Sequence, residues 1–122
     1  VKKLDVRIIA ATNKNLKKAV MEGVFRQDLF YRLNIANLTL PPLRERKQDI
    51  LILFNHFVEK ISKSMGIKIP ILSKEAKKMI LEYKWPGNIR ELQNEIKRLL
   101  ALLDGNTIFP DNLSLHIRNC EE

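Results

Sequence analysis

The spacing of apolar residues changes at Pro41-Pro42, and this change limits the possible folds more than any other feature of the sequence. Before the two prolines, residues 4–11 form an apolar, β-branched run typical of a buried strand, and residues 35–40 alternate loosely as a second strand does. The prolines end that strand because proline lacks the amide hydrogen of a sheet ladder. After them, apolar residues recur about every 3.6 positions, as in amphipathic helices. The sequence therefore predicts an α/β segment followed by an all-α segment.

Two short helices are expected between the predicted strands. Asn15 can cap a helix through Val20 that Gly23 ends, and a second helix is expected over about residues 27–33. The predicted domain boundary follows Leu43. The chain then divides into an α/β remnant, a three-helix subdomain and a tail: residues 1–43, 44–118 and 119–122.

Three helices are expected after the boundary. An apolar stripe from Ile50 to Met65 predicts a long first helix that Gly66 ends, and Ser73 can cap the second. The third helix carries the clearest start signal, because Asn88 and Glu91 form an asparagine analogue of the capping box.

Composition excludes several classes of protein. The single cysteine, Cys120, cannot form an internal disulfide, and no set of Cys and His has the spacing of zinc ligands. No apolar run approaches the roughly 20 residues that cross a bilayer, and the N-terminus lacks the zones of a signal peptide. Because the chain begins without Met and almost directly with a predicted strand, we expect an excised piece of a larger cytoplasmic protein with no membrane association.

The charge balance leaves two interpretations open. Lys and Arg number 22 against 14 Asp and Glu, which gives a net charge of +8. Such an excess favours polyanionic partners, but it is equally typical of a solvated surface.

Arg90 is the first candidate binding residue. It lies in the first turn of the third predicted helix, where a cation faces the positive end of the helix dipole at a cost of about 0.3–1 kcal/mol. A phosphate held by Arg90, by the free helix amides and by a close backbone approach at Gly87 would offset that cost. The alternative is an exposed arginine that pairs with a nearby acid, although the i+4 position holds Asn94.

Arg26 and Arg32 are the next candidates, because they stand in an aromatic and apolar segment. On one helix they point about 120° apart, so they converge only if Arg26 precedes the first turn. Asp28 lies four residues before Arg32, which favours an ordinary helical ion pair for Arg32 but offers no equivalent for Arg26. Arginines that reach a phosphoryl group from a neighbouring subunit raise its transfer rate by about 10³–10⁵.

Asn13 stands at the tip of the first predicted strand. Its amide can orient a water or a phosphate oxygen, or it can cap the next helix. His56 and His116 have no acid or nucleophile at a useful spacing, and neither is assigned a role. The sequence contains no Gly-x-x-x-x-Gly-Lys-Ser/Thr loop and no strand ending in Asp-Glu for magnesium, so it holds no complete active site.

Four ordered motifs carry a family resemblance. They are the strand end at residues 7–13, the arginine segment at residues 25–34, the Leu-Pro-Pro-Leu-Arg-Glu-Arg stretch at residues 40–46, and Trp-Pro-Gly-Asn-Ile-Arg-Glu-Leu at residues 85–92. Together they resemble the second half of the AAA+ ATPase domain of bacterial sigma-54-dependent transcription activators. The fold implied is part of the AAA+ α/β subdomain followed by its three-helix lid.

The resemblance implies roles for five residues. Asn13 belongs to sensor I, which detects the γ-phosphate of ATP, and Arg90 matches the sensor II arginine of the lid. Arg26 and Arg32 match the positions proposed as arginine fingers for the adjacent protomer. Ile50 would line the pocket for the adenine base.

The resemblance also implies a function for the parent protein. A ring, usually a hexamer, hydrolyses ATP with Mg²⁺ and remodels sigma-54 RNA polymerase so that promoters open. The resemblance also implies that a two-component system regulates the protein. The phosphate loop, the magnesium acids and the sigma-54 contact loop would precede residue 1, and a DNA-binding helix-turn-helix would follow residue 122. We expect this chain alone not to hydrolyse ATP.

Two alternatives remain open from the sequence. A small basic DNA-binding domain could read a groove with Gln93, Asn94, Lys97 and Arg98. The chain could also be the lid of a different AAA+ machine, such as a helicase loader.

Overall fold

The computed structural model describes residues 2–119, which leaves Cys120 and most of the predicted tail outside the described residues. The chain divides into two compact units, Val1–Thr39 and Leu40–Glu122. We call them the N-terminal unit and the helical unit. Within residues 2–119, no helix combines the length and apolarity that a membrane crossing requires.

The N-terminal unit contains two short helices, α1 (Leu16–Met21) and α2 (Gln27–Leu33). The predicted cap of α1 is confirmed, because the Asn15 Oδ1 atom accepts a hydrogen bond of 3.2 Å from the Lys18 amide. Gly23 follows α1 with a φ of 74°, a left-handed conformation that glycine adopts without a Cβ clash. Phe30 of α2 is the buried hydrophobic residue among the described residues of this unit.

The two strands predicted in the N-terminal unit are wrong. Residues 4–11 and 35–40 are assigned to neither strand nor helix, and their apolar side chains lie in solvent. Ile9 is 85% exposed and Leu38 is 91% exposed. A strand is stable only when neighbours satisfy its backbone and cover its apolar face. Neither segment has such a neighbour among the described residues of this unit. The residue pattern of a strand is present, but the segments remain irregular and exposed.

The helical unit contains the three predicted helices, α3 (Lys47–Met65), α4 (Lys74–Glu82) and α5 (Asn88–Leu102). It also contains a two-stranded sheet that the sequence did not predict. Strand β1 (Ile71–Leu72) pairs in parallel with β2 (Thr107–Ile108), with Ile71 opposite Thr107. Two 3₁₀ helices and a short fourth helix complete the unit: Leu43–Glu45, Pro110–Asn112 and α6 (Leu115–Arg118).

The ends of α3 and α4 follow the predicted signals. Gly66 ends α3 in a left-handed conformation with a φ of 70°. The Ser73 Oγ atom caps α4 by accepting a hydrogen bond of 3.2 Å from the Ala76 amide.

The start of α5 differs from its prediction. Asn88 does not cap the helix, because its Oδ1 atom accepts a hydrogen bond of 3.0 Å from the Leu43 amide. Gly87 takes the N-cap position instead. The predicted capping box is wrong, because the Asn88 amide donates to the Trp85 carbonyl oxygen at 2.9 Å. The Glu91 Oε1 atom accepts a hydrogen bond of 2.9 Å from the Gly87 amide instead.

Trp85 organises the core of the helical unit. Its side chain is fully buried, and its indole Nε1 donates a hydrogen bond of 2.8 Å to the Ile80 carbonyl oxygen. Around it, α3, α4 and α5 bury the apolar stripes that the sequence predicted, and each large apolar side chain contributes about 1.5–3 kcal/mol. The fully buried residues from these helices include Ile50, Ala76, Ile80, Leu92 and Ile96.

Candidate functional site

The turn before α5 forces the backbone into two uncommon conformations. Trp85 and Asn88 have φ angles of 49° and 52°, in the left-handed region that a residue with a Cβ rarely adopts. Each costs on the order of 1–3 kcal/mol unless the surrounding structure imposes it. Burial of the Trp85 indole and the hydrogen bond between Asn88 and Leu43 hold the turn in place. The first residues of α5 are therefore fixed relative to the core.

Arg90 lies on this fixed start of α5 and is exposed. It lines an open groove of 480 Å³ whose walls also include Glu91, Asn94 and His116. Within residues 2–119, its guanidinium makes no ion pair or hydrogen bond with another side chain. The structure thus places a cation with unused donors beside the N-terminus of a helix, as a phosphate site requires.

Glu91, the acid next to Arg90, is held by other groups. Its Oε2 atom accepts a hydrogen bond of 2.6 Å from the Tyr83 hydroxyl, and the His116 Nε2 atom lies 3.6 Å from that oxygen. Its Oε1 atom accepts the Gly87 amide. The alternative for Arg90 was an ion pair with a nearby acid. Glu91 is such an acid, but its carboxylate is bound to other partners.

Position 87 requires glycine for a different reason from the predicted one. The sequence suggested that its missing side chain admits a phosphate, but a Cβ built at Gly87 would lie only 2.7 Å from the Glu91 Cβ atom. The close approach is thus made by the Glu91 side chain. The amide of Gly87 is already occupied by an internal anion.

Glu95 is a buried acid that the sequence analysis missed. Its carboxylate accepts hydrogen bonds from the Ser114 hydroxyl at 2.6 Å, the Ser114 amide at 3.0 Å and Arg98 Nη2 at 2.9 Å. Arg98 also donates to the Asn112 carbonyl oxygen at 2.6 Å. The network joins α5 to the segment before α6. A signal was present, because Glu95 stands on the same helical stripe as Leu92, Ile96 and Leu99.

The network shifts the titration of Glu95. Burial raises the pKa of this carboxyl group, and hydrogen bonds from Arg98 and Ser114 lower it by more, so the pKa lies below its ordinary value of 4.5. Glu95 is therefore an ionised structural anchor. Arg98 binds Glu95. One of the four side chains that the DNA-binding alternative would use to read a groove is therefore already engaged.

Arg26 and Arg32 are both exposed, Arg26 just before α2 and Arg32 near its C-terminal end. Arg26 precedes the first turn as the N-cap residue, and its Nη2 atom lies 3.0 Å from Asp28 Oδ2. The predicted pair of Asp28 with Arg32 is wrong. The other carboxylate oxygen of Asp28 accepts the Leu29 amide at 2.9 Å, which keeps the acid at the N-terminal end of α2. For Arg32, the described residues supply no ion-pair partner.

Asn13 and Ile50 occupy contrasting environments. Asn13 is exposed in a bend before α1, and the capping that it could have provided belongs to Asn15. Ile50 is fully enclosed in the core of the helical unit, so packing alone accounts for it. Within each unit, the hydrogen bonds and ion pairs of the described residues join none of that unit's predicted site residues to one another. Nor does that part of the chain bring three or more His, Cys, Asp or Glu side chains together as a metal site.

Comparison with known proteins agrees with the motifs. The AAA+ ATPase lid domain family matches residues 44–122, and the sigma-54 interaction domain matches residues 1–39. This chain belongs to the AAA+ family of sigma-54-dependent activators. The predicted resemblance is confirmed, and so is the general fold class of a AAA+ remnant with its lid.

Similar curated proteins come from several bacteria. The chain is 46% identical over 120 residues to the nitrogen fixation protein AnfA of Azotobacter vinelandii, covering 98% of this chain and 22% of AnfA. It is 48% identical over 116 residues to the regulatory protein AtoC of Escherichia coli K12, covering 95% of this chain and 25% of AtoC. The chain thus spans about a quarter of the length of these relatives.

A solved structure of a nucleotide complex contains the same fold. NtrX from Brucella abortus in complex with ATP superposes with a TM-score of 0.87 at 37% identity, covering 95% of this chain and 27% of NtrX. The NtrX complex with ADP gives the same TM-score, identity and coverage.

Proposed function

We propose that this chain supplies nucleotide-sensing and subunit-bridging residues to an ATP-driven activator that remodels sigma-54 RNA polymerase and opens promoters. One observation carries the proposal. Arg90 is exposed at the fixed start of α5 and lines a groove, while the adjacent Glu91 carboxylate is bound by other groups. The relatives support the wider assignment, because they include the DNA-binding transcriptional regulator NtrC of Proteus hauseri, 42% identical over 120 residues.

The exposed Arg90 guanidinium in its groove has the charge and the donors that a phosphate of a nucleoside triphosphate requires. When bound, ATP supplies the phosphoryl group for transfer and Mg²⁺ offsets phosphate charge. Arg90, as sensor II, would donate its forked N–H groups to phosphate oxygens, and Asn13, as sensor I, would orient a γ-phosphate oxygen or a water. Neither step makes a covalent bond to the protein. Ile50 as part of the adenine pocket remains a prediction, since its burial already explains it.

Arg26 and Arg32 are proposed as arginine fingers that act on an adjacent protomer of a ring, in the family usually a hexamer. Their exposure supports this role. The Arg26–Asp28 ion pair does not oppose it, because its side chains are 83% and 66% exposed and such pairs contribute about 0–1 kcal/mol. Asp28 can therefore release Arg26 when a phosphate arrives.

The remaining functions belong to parts of the parent protein outside this sequence. We propose that these parts hold the phosphate loop, the magnesium acids, the sigma-54 contact and a DNA-binding domain, in a cytoplasmic protein. The motifs in this sequence support that arrangement because they cover sensor and finger positions without a phosphate loop.

The sensor role is tested by Arg90→Ala in the full-length protein. We expect the KM for ATP to rise about tenfold, because a charge-assisted hydrogen bond to phosphate is lost. Lys97→Ala is a matched control, since Lys97 is another exposed cation of α5 and has no partner within the described chain. If both variants hydrolyse ATP with wild-type KM and kcat, Arg90 is not a sensor.

The finger role is tested by mixing subunits. We expect Arg26→Ala and Arg32→Ala to abolish ATP hydrolysis while nucleotide binding persists, because these side chains serve the neighbouring site. Addition of a subunit with a dead phosphate loop but intact arginines should restore activity. Lys17→Ala, which removes an exposed cation of α1, is the control. Rings that stay inactive at every mixing ratio would show that the arginines do not act on the neighbour.

A further inference from the structure

Three groups from different elements converge on one carboxylate beside the proposed sensor arginine. The Tyr83 hydroxyl follows the end of α4, the Gly87 amide lies at the start of α5, and His116 belongs to α6. Their distances to the Glu91 oxygens are 2.6, 2.9 and 3.6 Å. Such convergence restricts both oxygens of Glu91 and thereby fixes the direction of its side chain.

The direction of Glu91 matters because its neighbour in the chain is Arg90. Consecutive residues of a helix point about 100° apart, so a freed Glu91 carboxylate reaches the Arg90 guanidinium only by swinging along the groove that both side chains line. The resulting pair would neutralise the cation that phosphate needs. In the structure this pairing does not occur within the described residues, although both side chains line the same groove. This separation agrees with a Glu91 carboxylate that its own partners hold in place.

We propose that Glu91 is a positioning residue, and that Tyr83 and His116 hold its carboxylate away from Arg90 so that the guanidinium stays available for nucleotide phosphates. The inference rests on the proposed sensor role of Arg90. The carboxylate also takes the place of an anion at the Gly87 amide, which leaves the guanidinium as the main attachment for phosphate at this turn.

Gly87 belongs to the same device. Because a Cβ at this position would lie 2.7 Å from the Glu91 Cβ, which moves only with its backbone, any larger residue forces the first turn of α5 to shift. Tyr83 is itself well fixed, since its ring contacts Trp85 edge to face with centroids 4.9 Å apart. The hydroxyl therefore reaches Glu91 from a rigid support.

The test uses a rescue that a purely structural role would not produce. Tyr83→Phe in the full-length protein keeps the ring and removes the hydroxyl that holds Glu91. We expect the KM for ATP to rise about fivefold with kcat nearly unchanged, because the released carboxylate competes with phosphate for Arg90. Adding Glu91→Gln to Tyr83→Phe should restore the KM, because a neutral amide does not neutralise the guanidinium.

A second variant covers the case in which Tyr83→Phe disturbs the core. His116→Ala changes a residue whose side chain is 58% exposed, and we expect a smaller rise in KM that Glu91→Gln also reverses. His56→Ala, which removes the other histidine at an exposed position of α3, is the matched control and should leave KM unchanged. Thermal unfolding of each variant shows whether the fold is retained.

The outcomes separate this inference from the sensor assignment. Raised KM values that Glu91→Gln reverses support the positioning role. If Arg90→Ala raises KM while Tyr83→Phe and His116→Ala do not, or if Glu91→Gln fails to reverse their effects, the positioning role is overturned and the sensor role stands. If Arg90→Ala itself has no effect, both are overturned.

Discussion

The two units of the chain contain similarly apolar segments but bury them to very different extents. Among the described residues, the helical unit encloses fifteen in one core cluster, whereas Phe30 is the buried hydrophobic residue of the N-terminal unit. In the N-terminal unit, Ile8, Ile9 and Leu38 are 74%, 85% and 91% exposed. Helices with an apolar stripe can cover one another within a short chain, but a strand needs neighbouring strands as well. The local apolar pattern is therefore sufficient to predict a packed helix, but it does not decide whether a strand forms.

The largest expected effect tests whether the core of the helical unit is the stable part of the chain. Trp85→Ala removes a fully buried indole and its hydrogen bond to Ile80, which costs about 3–5 kcal/mol of unfolding free energy. Ile9→Ala, at an 85% exposed position, is expected to change stability by less than about 0.5 kcal/mol. Urea unfolding followed by circular dichroism measures both. Equal losses would show that the two units do not differ in this way.

The next effect concerns the buried acid of the helical unit. Glu95→Ala leaves Ser114 and Arg98 without their acceptor and should cost about 2–3 kcal/mol. Glu59→Ala is the control, because Glu59 is an exposed acid of α3 that forms its ion pair with Lys63 at the surface. Chemical unfolding at neutral pH compares the two. A wild-type midpoint for Glu95→Ala would contradict the anchor role.

The same carboxyl group predicts a pH dependence. Its pKa in the folded state lies below 4.5, so its contribution is complete above the pKa of the unfolded chain and is lost as the pH falls through the folded value. Glu95→Gln should therefore weaken the acid-induced loss of stability. Thermal unfolding between neutral and acidic pH tests this, and parallel curves for wild type and variant would exclude the effect.

Helix caps provide a smaller and closely matched comparison between the units. Ser73 and Asn15 each accept a hydrogen bond of 3.2 Å from an amide three residues later. Ser73→Ala should cost about 1 kcal/mol, because α4 packs in the core. Asn15→Ala should affect only the exchange of α1 amide hydrogens, since α1 has no buried residue. Loss of global stability in Asn15→Ala would break the comparison.

The smallest effect concerns the uncovered apolar segments. Ile9→Lys and Leu38→Lys should leave unfolding free energy within about 0.5 kcal/mol of the original, because both side chains already lie in water. Solubility should rise, since exposed apolar runs promote association. Hydrogen exchange should show residues 4–11 and 35–39 unprotected and the centre of α5 protected. Protection of the first two segments would indicate strands after all.

The sequence was a good guide wherever a contact is local. The caps at Asn15 and Ser73 and the left-handed glycine at Gly66 involve residues within four positions of one another, so pattern alone identified them. Asn88 was misread because its partner, the Leu43 amide, lies 45 residues away. Sheet partners and long-range acceptors of this kind are set by packing, which a single sequence does not display.

The candidate site shows the same limit. Sequence motifs identified Arg90, Arg26 and Arg32, and the structure places all three on exposed positions. The sequence did not reveal that Asp28 pairs with Arg26 or that Tyr83 and His116 hold Glu91. These choices depend on where side chains meet in space, and periodicity carries no information about that.

The most direct measurement is a structure of the full-length protein with bound ATP. The account predicts that the Arg90 guanidinium lies within about 3 Å of a phosphate oxygen, while Glu91 still accepts the Tyr83 hydroxyl. An Arg90 side chain that points into solvent, or one that pairs with Glu91 while the phosphates rest on other groups, would contradict it.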